Sequence, residues 1–312
     1  MSNLTQRVLT AVVAIPIILV ITLAGGIYFF GFVALASAVA LKEFYALAKA
    51  RGAQPLIGLG IVSGFFVNLT FFHAKLYALL IALFGGNPMP LPSQTQALLI
   101  ILLVSVAVMS LVELFRNKGS AITNLSTTVF GVLYVSMFFG TLIGIRELFI
   151  PLDFPMLRYF PGGAAMSATT AAQVYRWGGY TVISVLAMIW ICDSAAFYGG
   201  LALGRHKLFP RVSPNKTWEG AVFGFIFAIA AALAAKYLVL EYLPLDGAIT
   251  LGVIVGAVGQ LGDLVESLFK RDAGVKDSSQ LIPGHGGVFD RFDSLLLVAP
   301  LVYLYLDFVL FS

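Results

Sequence analysis

The sequence predicts an all-α polytopic integral membrane protein of about nine transmembrane helices, and three observations carry that prediction. The first is composition: 60% of the 312 residues are hydrophobic and 11% are charged, whereas a soluble domain carries about 25% charged residues. Mean hydropathy is +0.96, so polar groups are too few to cover a water-facing surface and lipid must solvate much of the chain. The second is the recurrence of apolar runs at the length of a bilayer crossing. The third is an alternation of positive charge between successive loops.

Nine apolar segments reach the roughly 17–25 residues that a helix needs to cross. They are 7–24, 27–48, 56–72, 96–115, 126–148, 179–203, 218–240, 248–270 and 293–311. The first lacks a small-residue cleavage site and is followed by many others, so it is expected to stay as a helix and not to be removed as a signal peptide. Ala74 to Phe84 is too short to cross alone. It either extends the third helix or forms a half-helix, which brackets the count at eight to ten. The connection from Phe149 to Gly178 holds Pro151, Pro155, Pro161, Gly162 and Gly163. A surface loop is expected there, with a lid or re-entrant element as the alternative. The chain is read as one continuous membrane domain, with five spans and this connection in 1–178 and a C-terminal region in 179–312.

Nine crossings sort the 19 Lys and Arg residues 14 to 5. The richer side holds Arg7, Lys42, Lys49, Arg51, Arg116, Lys118, Arg205, Lys207, Arg211, Lys216, Lys270, Arg271, Lys276 and Arg291. The other holds Lys75, Arg146, Arg158, Arg176 and Lys236. The positive-inside rule then predicts a cytoplasmic N-terminus and a C-terminus on the far side. The sequence pI near 9.1 suits anionic lipid or a polyanionic ligand. The single cysteine, Cys192, excludes an internal disulfide and a Cys-based zinc site.

Two cytoplasmic loops differ from the rest of the chain. One runs from Asp193-Ser194-Ala195-Ala196-Phe197 through Gly204-Arg205-His206-Lys207 to Ser213-Pro214-Asn215-Lys216-Thr217-Trp218-Glu219-Gly220. The other runs from Gly259-Gln260-Leu261-Gly262-Asp263 through Glu266, Lys270-Arg271, Lys276-Asp277 and Pro283-Gly284-His285-Gly286-Gly287 to Asp290-Arg291-Phe292-Asp293. Asp263 and Glu266 are three residues apart, which puts them on one helix face, and Asp290 and Asp293 repeat the spacing. Carboxylates in spans are costly and face polar cavities or partners. Structural pairing, such as Glu266 with Lys270, is one reading. The other is a hard-cation site of Asp263, Asp290, Glu266 and Asp293, most consistent with Mg²⁺ because no zinc-type His or Cys set accompanies them. Lys216, Lys270, Arg271 and Lys276 lie in the same loops, and Gly284, Gly286 and Gly287 let a backbone approach phosphate closely. His285 is the histidine expected to act, whereas His73 and His206 are expected at an interface and in a loop. No Walker loop, His-Glu-x-x-His or Gly-x-Ser-x-Gly motif is present. Gly252, Gly256 and Gly259 suggest helix packing.

These loops resemble the phosphatidate cytidylyltransferases, also called CDP-diglyceride synthetases. Ser267 to Asp293 is similar to that family's C-terminal signature, Ser213 to Gly220 to its second block, and Asp193 to Phe197 to a short Asp-Ser/Thr-x-Ala-Tyr block with Phe197 in place of tyrosine. Arg211 stands where lysine is frequent. The resemblance implies transfer of the cytidylyl group of CTP to phosphatidic acid, giving CDP-diacylglycerol and pyrophosphate, with Mg²⁺ required and a second cation left open. It implies metal-binding aspartates at Asp263 and Asp290. Catalytic roles fall to Asp263, Asp290, Lys270, Arg271 and His285. Substrate contacts fall to Ser213, Lys216, Thr217, Glu219, Lys276, Asp277, Arg291 and Asp193. The expected setting is a bacterial inner membrane, with the catalytic cavity on the cytoplasmic side, no nucleic-acid partner, and homodimerisation left open. A related lipid transferase or kinase using another nucleotide or acceptor is the nearest alternative. An ion-coupled transporter is the more distant one, because its carboxylates would be spread over both faces.

Overall fold

A computed structural model describes residues 3–84, 91–150, 167–282, 284 and 286–311. His285 and the 151–166 part of the long connection lie outside the described residues. The elements are α1 (Asn3–Ala24), α2 (Gly26–Ala50), α3 (Ile57–Thr70), α4 (His73–Phe84), α5 (Gln94–Leu114) and α6 (Ala121–Glu147). There follow α7 (Ala168–Leu203), a hairpin of β1 (Lys207–Phe209) and β2 (Ser213–Thr217), α8 (Trp218–Leu238), α9 (Leu245–Asp272) and α10 (Asp293–Leu310). The protein is an all-α polytopic membrane protein. Among the described residues, seven helices are long and apolar enough to cross a bilayer, and the α3–α4 pair, bent by 82°, makes an eighth if counted as one span. The apolar part of α1, Val8–Ala24, is shorter.

Local chemistry sets the helix starts. Ser93 caps α5 in a reciprocal box with Gln96, Ser120 accepts from the Thr123 N–H at the start of α6, and Thr217 accepts from the Gly220 N–H at the start of α8. The structure decides one open expectation and shifts another. Ala74 to Phe84 is a separate helix, because the chain breaks at Phe71–Phe72 and turns sharply. The helix that carries the sixth span begins at Ala168, inside the connection expected to be a surface loop. Ser167 caps the helix through the Thr170 N–H at 3.1 Å, and α7 then runs 36 residues straight through Gly178-Gly179. At 1.5 Å per residue that is about 54 Å, well beyond a ~30 Å hydrocarbon core.

The chain divides into two compact units. One comprises Met1–Glu147 and Asp272–Arg291, the other Leu148–Arg271 and Phe292–Ser312. In the first, Leu41, Tyr45, Val67, Val135 and Ile143 are fully buried. Tyr45 lies so close to Gly60 and Gly131 that a Cβ at either would collide with its ring. The fully buried Arg146 donates from Nε to the Thr22 carbonyl at 3.1 Å, capping the last turn of α1. One of the five basic residues assigned to the far side therefore has a structural use.

In the second unit, α7 and α8 pack through small residues. A Cβ on Gly220 would lie 2.6 Å from the Ala196 carbonyl oxygen, and one on Gly224 2.9 Å from that of Cys192. Gly252 and Gly256 of α9 approach α8 equally closely, at Ile229 and Phe225, so this glycine pattern serves helix packing. Phe149, Trp177, Tyr242 and Phe311 form an aromatic cluster with centroids 5.0–6.0 Å apart.

Candidate active site

In the second unit, α9 and α10 bring three carboxylates together. Asp263 and Glu266 sit one turn apart on α9, and Asp293 opens α10. One oxygen from each lies within 4.8 Å of the others. Gly262 makes this approach possible, since a Cβ there would stand 2.7 Å from the Asp293 carbonyl oxygen and 3.0 Å from Ser294 Cα. The Asp293 carboxylate also accepts from the Ser294 N–H at 2.6 Å. Glu266 is fully buried.

Two lysines face these acids. Lys216, near the end of β2, places Nζ 2.7 Å from Asp263 Oδ2 and 3.5 Å from the Gln260 carbonyl oxygen. Lys270 places Nζ 2.6 Å from Glu266 Oε2, one turn along α9. Ser267 donates to Asp263 Oδ1 at 3.2 Å. Asp193, on α7, lies within electrostatic reach of Asp263, Asp293 and Lys216. Gln260 donates to the Ala221 and Gly256 carbonyls, which ties α8 to α9 beside the cluster. Three carboxylates and two ammonium groups thus meet around the Asp263 turn of α9, with the Asp193 carboxylate of α7 close enough to act on them electrostatically. The pairing of Glu266 with Lys270 and the grouping around Asp263 coexist in one network.

The β-hairpin is held as a clip over the start of α8. Glu219 accepts from the N–H groups of Arg205 and His206 at 3.1 and 3.2 Å, and its other oxygen meets His206 Nδ1 at 2.6 Å. The Trp218 N–H returns to the His206 carbonyl at 2.9 Å. Glu219 therefore organises the clip, with an open depression of about 380 Å³ beside it lined by Gly204, Arg205 and His206. Ser213 pairs with Phe209, and Thr217 with Lys207 while it caps α8.

The remaining signature residues belong to the first unit. The Asp290 carboxylate accepts from the Ser278 N–H at 3.0 Å and the Gly287 N–H at 2.7 Å. Gly286 has φ +83°, a left-handed conformation that favours glycine, and a Cβ there would lie 2.6 Å from Asp290 Oδ2. Ile282 and Gly286 close the loop with a 2.9 Å backbone bond. Lys276, Asp277 and Arg291 flank this loop, and Lys276 and Asp277 are exposed. Sequence reasoning missed the second carboxylate here, Glu43 of α2. It is buried and accepts from Ser278 Oγ, Ser279 Oγ, the Val288 N–H and the Phe289 N–H at 3.2, 2.6, 3.2 and 2.7 Å. The available signal was an ionisable residue inside an apolar span, which marks function by default.

A profile of the family described as Cytidylyltransferase family matches residues 5–309. The chain belongs to that family. A phosphatidate cytidylyltransferase of Synechocystis is 34% identical over 98% of this chain and 97% of its own length. One of Bacillus subtilis is 30% identical over 97% of each. One of Haemophilus influenzae is 46% identical over 43% of this chain and 48% of its own length. An enzymatic role in nucleotidyl transfer agrees with the carboxylate–lysine network gathered around Asp263, Glu266 and Asp293.

Proposed function

We propose that the chain transfers the cytidylyl group of CTP to phosphatidic acid, releasing pyrophosphate and leaving CDP-diacylglycerol in the membrane. The observation that carries this reading is family membership over nearly the whole chain, joined to a carboxylate–lysine network in which Lys216, Lys270 and Asp293 come from the family's sequence blocks. A phosphate oxygen of phosphatidic acid attacks the α-phosphorus of CTP, and the bond from that phosphorus to the bridging oxygen of the β-phosphate breaks. The attacking oxygen is already anionic near neutral pH, so no strong general base is needed. The obstacle is repulsion between two polyanions, which falls to electrostatic stabilisation.

The donor set suits a divalent cation. It is all oxygen, offers three carboxyl groups, and spans a distance that metal–oxygen bonds of roughly 2.0–2.6 Å can bridge. Asp263, Glu266 and Asp293 would hold it, with Asp290 retained as a further ligand on the family resemblance. Once bound, a cation of this kind supplies a Lewis acid for phosphate oxygens. Lys216 and Lys270 hold positive charge against the carboxylates and are positioned to screen phosphate. Arg271, Lys276 and Arg291 add charge for the triphosphate, and His285 a phosphate contact or proton. Ser213, Thr217, Asp193 and Asp277 are carried as substrate contacts on the resemblance, and Glu219 as the organiser of the hairpin clip. We place the site on the cytoplasmic face of a bacterial inner membrane, where CTP is dissolved, because 14 of the 19 basic residues sort to that side.

Purified protein tests this reading with radiolabelled CTP or ATP, phosphatidic acid or an isoprenoid acceptor, and Mg²⁺. CTP with phosphatidic acid should be the productive pair. Asp263→Asn and Asp293→Asn should each lose at least ~2.7 kcal/mol of transition-state stabilisation, about a hundredfold in rate. Full activity in both variants would sink the cation assignment, and turnover with ATP alone would sink the substrate assignment.

A further inference from the structure

The described residues of the loop from Asp277 to Asp290 have little regular structure of their own, yet the backbone at Ser278 and at Gly287 to Phe289 is tightly specified. Two carboxylates do this from opposite ends of the sequence. Asp290 gathers the N–H groups of Ser278 and Gly287. Glu43, which lies 235 to 246 residues earlier, gathers the hydroxyls of Ser278 and Ser279 and the N–H groups of Val288 and Phe289. Four donors on one carboxylate come near the capacity of its lone pairs. At 6% exposure, Glu43 has little water to replace any donor it loses. Phe44, the next residue, packs against Phe289 with centroids 6.0 Å apart, which fixes the same strand of loop from the apolar side. Gly287 is required for the approach, since a Cβ there would lie 2.5 Å from Glu43 Oε2.

We propose that Glu43 is a positioning residue for the reaction: its carboxylate is the template on which the glycine-rich signature loop takes its phosphate-ready shape. A carboxylate is specified because every neighbour named above donates. A glutamine at this position would turn an NH₂ group toward at least one of those donors, leaving both unsatisfied in a buried place. Aspartate keeps the all-acceptor chemistry but shortens the reach by one methylene. The role is distinct from that of the acids on α9 and α10, because Glu43 acts on the protein's own backbone and touches no reacting atom.

This inference rests on the proposed reaction for its kinetic arm alone. Full-length Glu43→Gln, Glu43→Asp and Ser279→Ala proteins, purified in detergent or nanodiscs, would be compared with the parent by amide hydrogen exchange and by CTP turnover. In Glu43→Gln, exchange of the Val288 and Phe289 amides should rise at least tenfold while amides of Gly26–Ala50 keep their protection. The kcat/KM for CTP should fall at least thirtyfold, and Glu43→Asp should recover part of both. Ser279→Ala removes one donor from outside the buried helix, so it reports even if Glu43→Gln folds poorly, and it should raise loop exchange by a smaller factor. Parent-like loop exchange in Glu43→Gln or, if that variant does not fold, in Ser279→Ala would overturn the template. So would faster exchange with unchanged kcat/KM. A parent protein inactive toward CTP would overturn the proposed reaction and leave the exchange comparison as the test of Glu43.

Discussion

At the scale of single residues, the question is which charges are structural and which serve the reaction. Glu266 and Lys270 pose it most sharply. Their 2.6 Å pair is almost wholly shielded, with side-chain exposures of 0% and 13%. Removing one member of a buried pair leaves an uncompensated charge and typically costs 3–5 kcal/mol, whereas replacing both with apolar groups of similar volume is often neutral. Lys270→Met should therefore lower thermal stability in detergent by several degrees. The double variant Glu266→Met/Lys270→Met should regain most of that stability and still fail to turn over CTP. An active double variant would reduce the pair to a packing device. The Lys216–Asp263 pair behaves differently because both side chains are about one-quarter to one-third exposed. Water and salt screen it, so its loss should show in turnover more than in stability.

At the scale of elements, the site depends on how closely α9 meets α10. Two glycines on α9 face the same partner at different tightness. A Cβ on Gly262 would strike backbone, 2.7 Å from the Asp293 carbonyl oxygen, while one on Gly259 would find ordinary contact with Val298 at 3.6 Å and Ser294 at 3.8 Å. Gly262→Ala must push the helices apart by several tenths of an ångström or more, which spreads Asp263 and Glu266 from Asp293. Misplacement on the scale of 1 Å costs about a hundredfold in rate. We expect Gly262→Ala to lose at least tenfold in kcat/KM and Gly259→Ala to stay within twofold, read by the same CTP assay. The spacing of Asp263 and Glu266 predicted their common face, because i,i+3 geometry is local. Asp293 was expected beside them, but the close approach at Gly262 that brings it there is a contact between helices, which a single sequence does not encode legibly. Glu43 was hidden for the same reason, being separated from its loop by most of the chain. The longer α7 was missed because Gly178-Gly179 resembles a boundary, although packing and a Ser167 cap carry the helix through it.

For the whole molecule, the strongest sequence signal was the least local one, the alternation of apolar runs and basic loops. It identified the membrane class, while the number of crossings depends on how α1 and the bent α3–α4 pair are counted. Orientation can be tested without settling that count. α6 and α7 each cross, so Lys118 before α6 and Arg211 after α7 should face the same compartment. α8 and α9 also each cross, which returns Lys276 to that compartment and puts Glu241, between them, on the other. We propose that this compartment is the cytoplasm, because the loops of Lys118, Arg211 and Lys276 hold most of the loop Lys and Arg. Cys192 is buried and the only cysteine, so Cys192→Ser gives a clean background for single cysteines at 118, 211, 241 and 276. In intact cells a membrane-impermeant maleimide should label only position 241, and in inverted vesicles it should label 118, 211 and 276. Labelling of 211 or 276 from outside would put the carboxylate–lysine network on the face without CTP. In that case the proposed reaction would need a different source of nucleotide.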